Sequence, residues 1–149
     1  MEHSIKAAEY FIQGYNCAQA VYMAFADVTG ETELEAAKAS SSFGGGVGGL
    51  REVCGAFGGL TMVVGKLYGY TDPKDDAAKK KVYGIVQSMA EKFKAEAQSV
   101  ICREILKVPA EGITLRPEEE KYYNIRPCAR MVMLASRILD EYIAQNPVM

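Results

Sequence analysis

Residues 72–93 read DPKDDAAKKKVYGIVQSMAEKF, and this stretch decides the class of fold. Val82, Ile85, Val86, Met89 and Phe93 fall at i, i+3, i+4, i+7 and i+11, which puts them on one face of an α-helix. A strand would send part of that set to the opposite side of a sheet. Asp72-Pro73 is expected to start the helix, since proline fits a first turn and acidic Asp75 and Asp76 suit the positive end of the helix dipole.

The same period dominates on either side, and no convincing period-2 segment interrupts it. Toward the N-terminus a short helix is expected over Ser4 to Gln13, with Ile5, Ala8 and Ile12 on one face and Gly14 as its stop. Asn16 reads as the N-cap of a second helix whose stripe is Cys17, Ala20, Val21, Ala24, Phe25 and Val28, ending at Gly30. Thr32 caps a third, from Glu33 to about Ser41. Residues 44–69 hold ten of the 14 glycines and read as a loop followed by a glycine-rich helix from Arg51 to Tyr68. Glycine inside a helix costs about 1 kcal/mol relative to alanine. Gly55, Gly58, Gly59 and Gly65 therefore call for an offset, and close approach of another backbone or a bulky group is the usual one. Toward the C-terminus a short helix is expected from Ser99 to Lys107, and Pro109 to Pro117 reads as loop. Pro127 then opens a last helix with Met131, Leu134, Ala135, Ile138 and Tyr142 inward. The expectation is a single all-α domain over residues 1–149, with six or seven helices.

Composition narrows the chemistry. With 149 residues, 49% hydrophobic and 24% charged, the chain suits one domain with a sizeable core. A net charge of −2 recruits neither nucleic acid nor anionic membrane. Lys79, Lys80 and Lys81 sit beside Asp72, Asp75 and Asp76, as on a solvated face. No apolar run reaches the ~18 residues of a spanning helix, so no membrane insertion is expected, and no signal peptide stands at the N-terminus. The expected location is cytoplasmic, where free thiols and metal thiolates outnumber structural disulfides. Gly44 to Gly49 satisfies GxGxxG formally, but no strand or βαβ unit surrounds it. Gly59 to Lys66 misses a P-loop by spacing, with Leu67 where Ser or Thr is needed.

One histidine and four cysteines leave sulfur as the bearer of chemistry. His3 lies near an end expected to fray, which removes Ser-His-Asp mechanisms and multi-histidine metal sites. The cysteines share a placement at helix starts. Cys17 follows Asn16, Cys102 comes three residues after Ser99, Cys128 follows Pro127, and Cys54 falls in the first turn of a helix begun at Arg51. Unbonded N–H groups and the dipole at a helix start favour thiolate, and Arg51, Arg103, Arg126 and Arg130 add cations. Each cysteine continues an apolar stripe, so all four should point inward. A lone buried cysteine is usually a plain core residue; four with the same placement point to one site. No pair forms CxxC, so the fold itself would have to assemble it.

Cys54-Gly55-Ala56-Phe57-Gly58-Gly59 is CGAxxG. Together with Gly14-Tyr15-Asn16-Cys17-Ala18-Gln19-Ala20, Cys102-Arg103-Glu104-Ile105-Leu106 and Cys128, it resembles a prokaryotic family named for the pattern C–GCAxxG–C–C. The family name writes the first two letters of that motif in the opposite order. The resemblance spans residues 14 to 128 and implies redox activity, itself an inference from the cysteines. Related sequence is similar to part of the split-Soret cytochromes, whose non-haem portion is linked to an iron–sulfur centre. This chain has no CxxCH, so covalent haem attachment does not carry over.

Three functions compete. The first is an iron–sulfur cluster held by Cys17, Cys54, Cys102 and Cys128, with Gly55, Gly58 and Gly59 letting backbone approach it, used for electron transfer or sensing with a redox partner protein. The second is thiol–disulfide exchange, with Cys128 as the favoured nucleophile, Cys54 as a second candidate, and three full pairings open. The third is structural: a four-cysteine zinc site, for which close ligand pairs are lacking, or plain core cysteines with no metal. Tyr122 and Tyr123 could shield a site, though core packing is the commoner role. Glu118, Glu119 and Glu120 read as a helix start or solvated loop. Surface apolar stripes could support a homodimer.

Overall fold

Capping residues set the helix starts. The Asn16 side chain accepts the Gln19 N–H (2.9 Å) while Gln19 Oε1 accepts the Asn16 N–H (3.1 Å), and Thr32 and Glu35 repeat the exchange. The computed structural model describes residues 2–107 and 127–148. The sequence readings at 109–117, Glu118, Glu119, Glu120, Tyr122, Tyr123 and Arg126 lie outside the described residues. Among those described the helices are α1 (His3–Ile12), α2 (Cys17–Ala24), α3 (Ala26–Thr29), α4 (Glu33–Ser40), α5 (Gly55–Tyr68), α6 (Asp76–Ala97), α7 (Cys102–Ile105) and α8 (Pro127–Gln145). A 3₁₀ turn, Ser41–Phe43, follows α4, and one isolated antiparallel bridge pairs Val53 with Ile101. The all-α expectation holds.

Helix α8 packs against α1, α2, α5 and α6, which explains why Ala129 through Ala135 are all buried. Ile85, Met89 and Phe93 of α6 join that core as the periodicity requires, and Phe93 meets Phe57 edge-on with centroids 5.6 Å apart. Gly30 ends α3 in the left-handed conformation (φ 83°).

Several boundaries differ from the sequence reading. The segment from Asn16 to Gly30 is two helices, because the chain leaves helical geometry at Phe25 (φ −97°, ψ 12°). Helix α1 buries Ser4, Ala7 and Ala8, leaving Ile12 51% exposed. Small side chains there let α1 lie close against α2 and α8. Helix α6 starts at Asp76: Asp72 accepts the Lys74 N–H in a turn, and Asp75 caps the helix through the Ala78 N–H. Helix α7 is only four residues long, because the Ser99 hydroxyl caps a turn at Ile101 and donates to Glu104. His3 does not fray. Its ring stacks on Phe25 at 4.1 Å and lies between two carboxylates, Nδ1 to Asp140 at 2.6 Å and Nε2 to Asp27 at 3.0 Å. The hydrogen bond to Asp140, then the charges and hydrogen bond of both carboxylates, raise its pKa against the opposing effect of burial.

The glycines of α5 divide by surroundings. A Cβ on Gly59 would lie 2.7 Å from the Ala18 carbonyl oxygen, and one on Gly55 3.2 Å from Cys17 Cβ. These two let α5 lie directly on α2. Gly58 faces the Phe43 ring at an ordinary 3.5 Å, and nothing lies within 4 Å of a Cβ on Gly65.

Candidate functional site

Cys54 and Cys102 are brought together by backbone pairing. On either side of the Val53–Ile101 bridge, the Cys54 N–H donates to Val100 O (2.7 Å) and the Cys102 N–H to Glu52 O (2.6 Å). That pairing keeps residues 51–53 out of α5, so Cys54 is the residue before the helix and not part of its first turn. Cys102 opens α7, Cys17 opens α2 behind its Asn16 cap, and Cys128 is the second residue of α8. Gly55 seats the start of α5 against Cys17.

The result is one cavity of about 50 Å³ lined by all four thiols, together with Gly45, Gly46, Arg51, Gly55, Ile105 and Met131. Cys54 and Cys102 are buried, Cys17 and Cys128 half-buried, and all four are free of disulfides. Of the glycines singled out in the sequence, Gly55 lines the cavity, whereas Gly58 and Gly59 face Phe43 and Ala18. Gly45 and Gly46, which belong to the discounted GxGxxG stretch, reach the cavity instead. Their left-handed backbone (φ 65° and 77°) folds the loop back on itself, and a Cβ on Gly46 would sit 2.6 Å from Arg51 Cα.

Cys17 and Cys54 do not show the acidity that helix starts alone would give. Cys17 is held far above the usual thiol range, first by its hydrogen bond with Cys128, then by burial and by the neighbouring sulfurs. Burial pushes Cys54 up to about 11, although the amides of Phe57 and Ala56 pull the other way without forming cap hydrogen bonds. At these two thiols the Cys17–Cys128 hydrogen bond, desolvation and the neighbouring sulfurs outweigh the helix ends. The arginines also differ from their sequence neighbourhoods. Arg51 Nη1 points to Cys102 Sγ at 3.9 Å, and Arg103 is turned away to the Glu52 carboxylate at 2.9 Å. Arg130 is a buried side chain of α8.

Among the described residues no three Cys, His, Asp or Glu side chains are grouped as the ligands of one metal ion. The four sulfurs that line the one cavity are soft donors of the kind that bind zinc or iron–sulfur centres. A second, larger cleft adjoins the cavity and shares Cys17, Cys128, Gly45 and Arg51 with it. No described helix is long and apolar enough to cross a membrane.

Residues 15–142 match a family model described as "Putative redox-active protein (C_GCAxxG_C_C)". No curated protein and no solved structure matches the chain.

Proposed function

The chain belongs to the C_GCAxxG_C_C family, and from that premise we propose that its four cysteines hold an iron–sulfur cluster used for electron transfer or sensing. One observation carries this reading: Cys17, Cys54, Cys102 and Cys128, from four separate segments, line a single cavity. Four thiolates suit either a [2Fe–2S] or a [4Fe–4S] centre, and such a group, when bound, supplies one-electron chemistry. The protein's part is to bind and tune. The amides at the start of α5 and the Arg51 guanidinium stand near two of the sulfurs, where N–H donation raises a cluster's potential. Ile105 and Met131 limit water on the inner side.

Thiol–disulfide exchange is the second reading, favoured by the contact between the Cys17 and Cys128 thiols, which makes that pair the one to bridge. Against it, Cys17 and Cys54 are shifted away from the thiolate form that an attacking thiol needs. A zinc site fits less well, because structural zinc usually uses ligand pairs close in sequence and this chain has none.

Anaerobic purification decides among them. The expected result is a coloured protein containing iron and acid-labile sulfide, with the colour lost in Cys54→Ser and Cys102→Ser. Colourless protein containing zinc would overturn the cluster reading in favour of a structural site. Colourless, metal-free protein in which reversible oxidation links Cys17 to Cys128 would replace it with thiol exchange.

A further inference from the structure

The cleft beside the thiol cavity has a volume of about 480 Å³, in the range of small-molecule sites. Phe11, Ile12 and Tyr15 give it an apolar wall, and Cys17 and Cys128 lie where it meets the thiol cavity. Arg51 is the one charged residue on its described lining. Among the described residues its guanidinium has no carboxylate partner. The adjacent Glu52 is taken by Arg103, and the bond to Cys102 uses a single N–H of the five that arginine carries.

Arg51 also stands where arginine is conformationally costly. Its φ is 61°, a left-handed backbone that glycine adopts freely, in a loop already rich in glycine. Three hydrogen bonds hold it there: its N–H to Gly45 O (3.0 Å), and its carbonyl to the Arg103 N–H and Nη1, both 3.2 Å. The loop thus fixes a cation between two cavities at a position where glycine would relieve strain. We propose that this cleft is a binding site for a small organic carboxylate, its acid group on Arg51 and its apolar body against Phe11, Ile12 and Tyr15. Arginine's planar fork matches a carboxylate in two hydrogen bonds, and an occupant there would cover the approach to Cys17 and Cys128. The assignment is independent of what the thiols hold.

Equilibrium dialysis of the full chain against benzoate, with neutral benzamide as the control, tests it. Benzoate should bind saturably in the millimolar range or tighter and benzamide should not. Arg51→Gly should weaken benzoate at least about tenfold, the loss of one charge-assisted hydrogen bond, while unfolding at the same or a higher temperature. Arg51→Lys should retain part of the affinity. Equal binding of benzamide, no benzoate binding, or unchanged affinity in Arg51→Gly would each overturn the assignment. A marked loss of stability in Arg51→Gly would make Arg51 a structural residue of the loop, and the assignment would fall.

Discussion

Substituting alanine at Gly65, Gly58 and Gly59 in turn tests whether the glycines of α5 exist to bring it onto α2. All three lie within one helix, so each variant gains the same propensity, about 1 kcal/mol. Their surroundings differ. The new Cβ meets nothing within 4 Å at Gly65, the Phe43 ring at 3.5 Å at Gly58, and the Ala18 carbonyl oxygen at 2.7 Å with Val21 Cβ at 3.0 Å at Gly59. Gly65→Ala should therefore keep its gain, a rise in Tm of roughly 2–4 °C for a chain of this size. Gly58→Ala sits in ordinary contact and should be neutral or slightly stabilised. At Gly59 the obstacle is backbone, which cannot rotate away, so the helices must separate. Overpacking costs of roughly 1–3 kcal/mol, taken at the upper end, leave a net loss of about 2 kcal/mol. Gly65→Ala and Gly59→Ala should thus differ by about 3 kcal/mol in urea unfolding followed by circular dichroism, with equal slopes. Because α2 starts at Cys17 and α5 follows Cys54, the proposed cluster further requires that Gly59→Ala bind less iron per chain. Two equally stabilised variants would refute the reasoning, since the close approach would then not be what Gly59 permits.

Three further outcomes follow from other parts of the molecule. Asn16→Ala removes the cap of α2 and the hydrogen bond to Ser41 O (3.0 Å); chemical denaturation should show a loss of about 1–2 kcal/mol, and none would mean the cap is idle. For His3→Gln the sign comes from its raised pKa: the stabilising charge is fully present below pH about 6.5 and is lost as pH rises through the folded-state value. Wild type should accordingly exceed the variant by more in weakly acidic than in alkaline buffer, and a gap that widens with pH would contradict this. Phe93→Ala, at a fully buried ring, should cost about 3–5 kcal/mol by the same denaturation assay, and a loss below that range would mean the α6 face is not core.

The helices were legible in proportion to how local their signals are. Asn16, Thr32, Gly30 and Pro127 act on the residues next to them, and each bounds a helix where its chemistry says it should. Reading failed where a boundary depends on a distant segment. The start of α5 at Gly55 follows from residues 52–54 pairing with 100–102, which no periodicity near Arg51 reveals. His3 was misread for the same reason, since the groups that hold it, Asp27 and Asp140, lie far along the chain. The inward stripes of the cysteines foretold their meeting, but the relative order of their surroundings did not follow. Arg51 lies three residues before Cys54 yet contacts Cys102 in space, and Arg103 adjoins Cys102 yet turns to Glu52.

The electrostatics of the thiols and the packing of the glycines describe one design. Burying four sulfurs together disfavours the thiolate at Cys17 and Cys54, so the protein alone would keep those protons on. A cationic inorganic centre would reverse that balance, because its positive charge offsets the repulsion among the thiolates formed as their protons leave. Burial that makes Cys17 and Cys54 poor nucleophiles is therefore what would make loading of the proposed cluster dependent on pH, with occupancy rising as pH rises. Gly55 and Gly59 belong to the same argument. Removing their Cβ atoms lets α5 lie on α2, and that contact holds Cys17 and Cys54 on the one cavity. Those two glycines are the cost in helix stability of bringing Cys17 and Cys54 to one cavity.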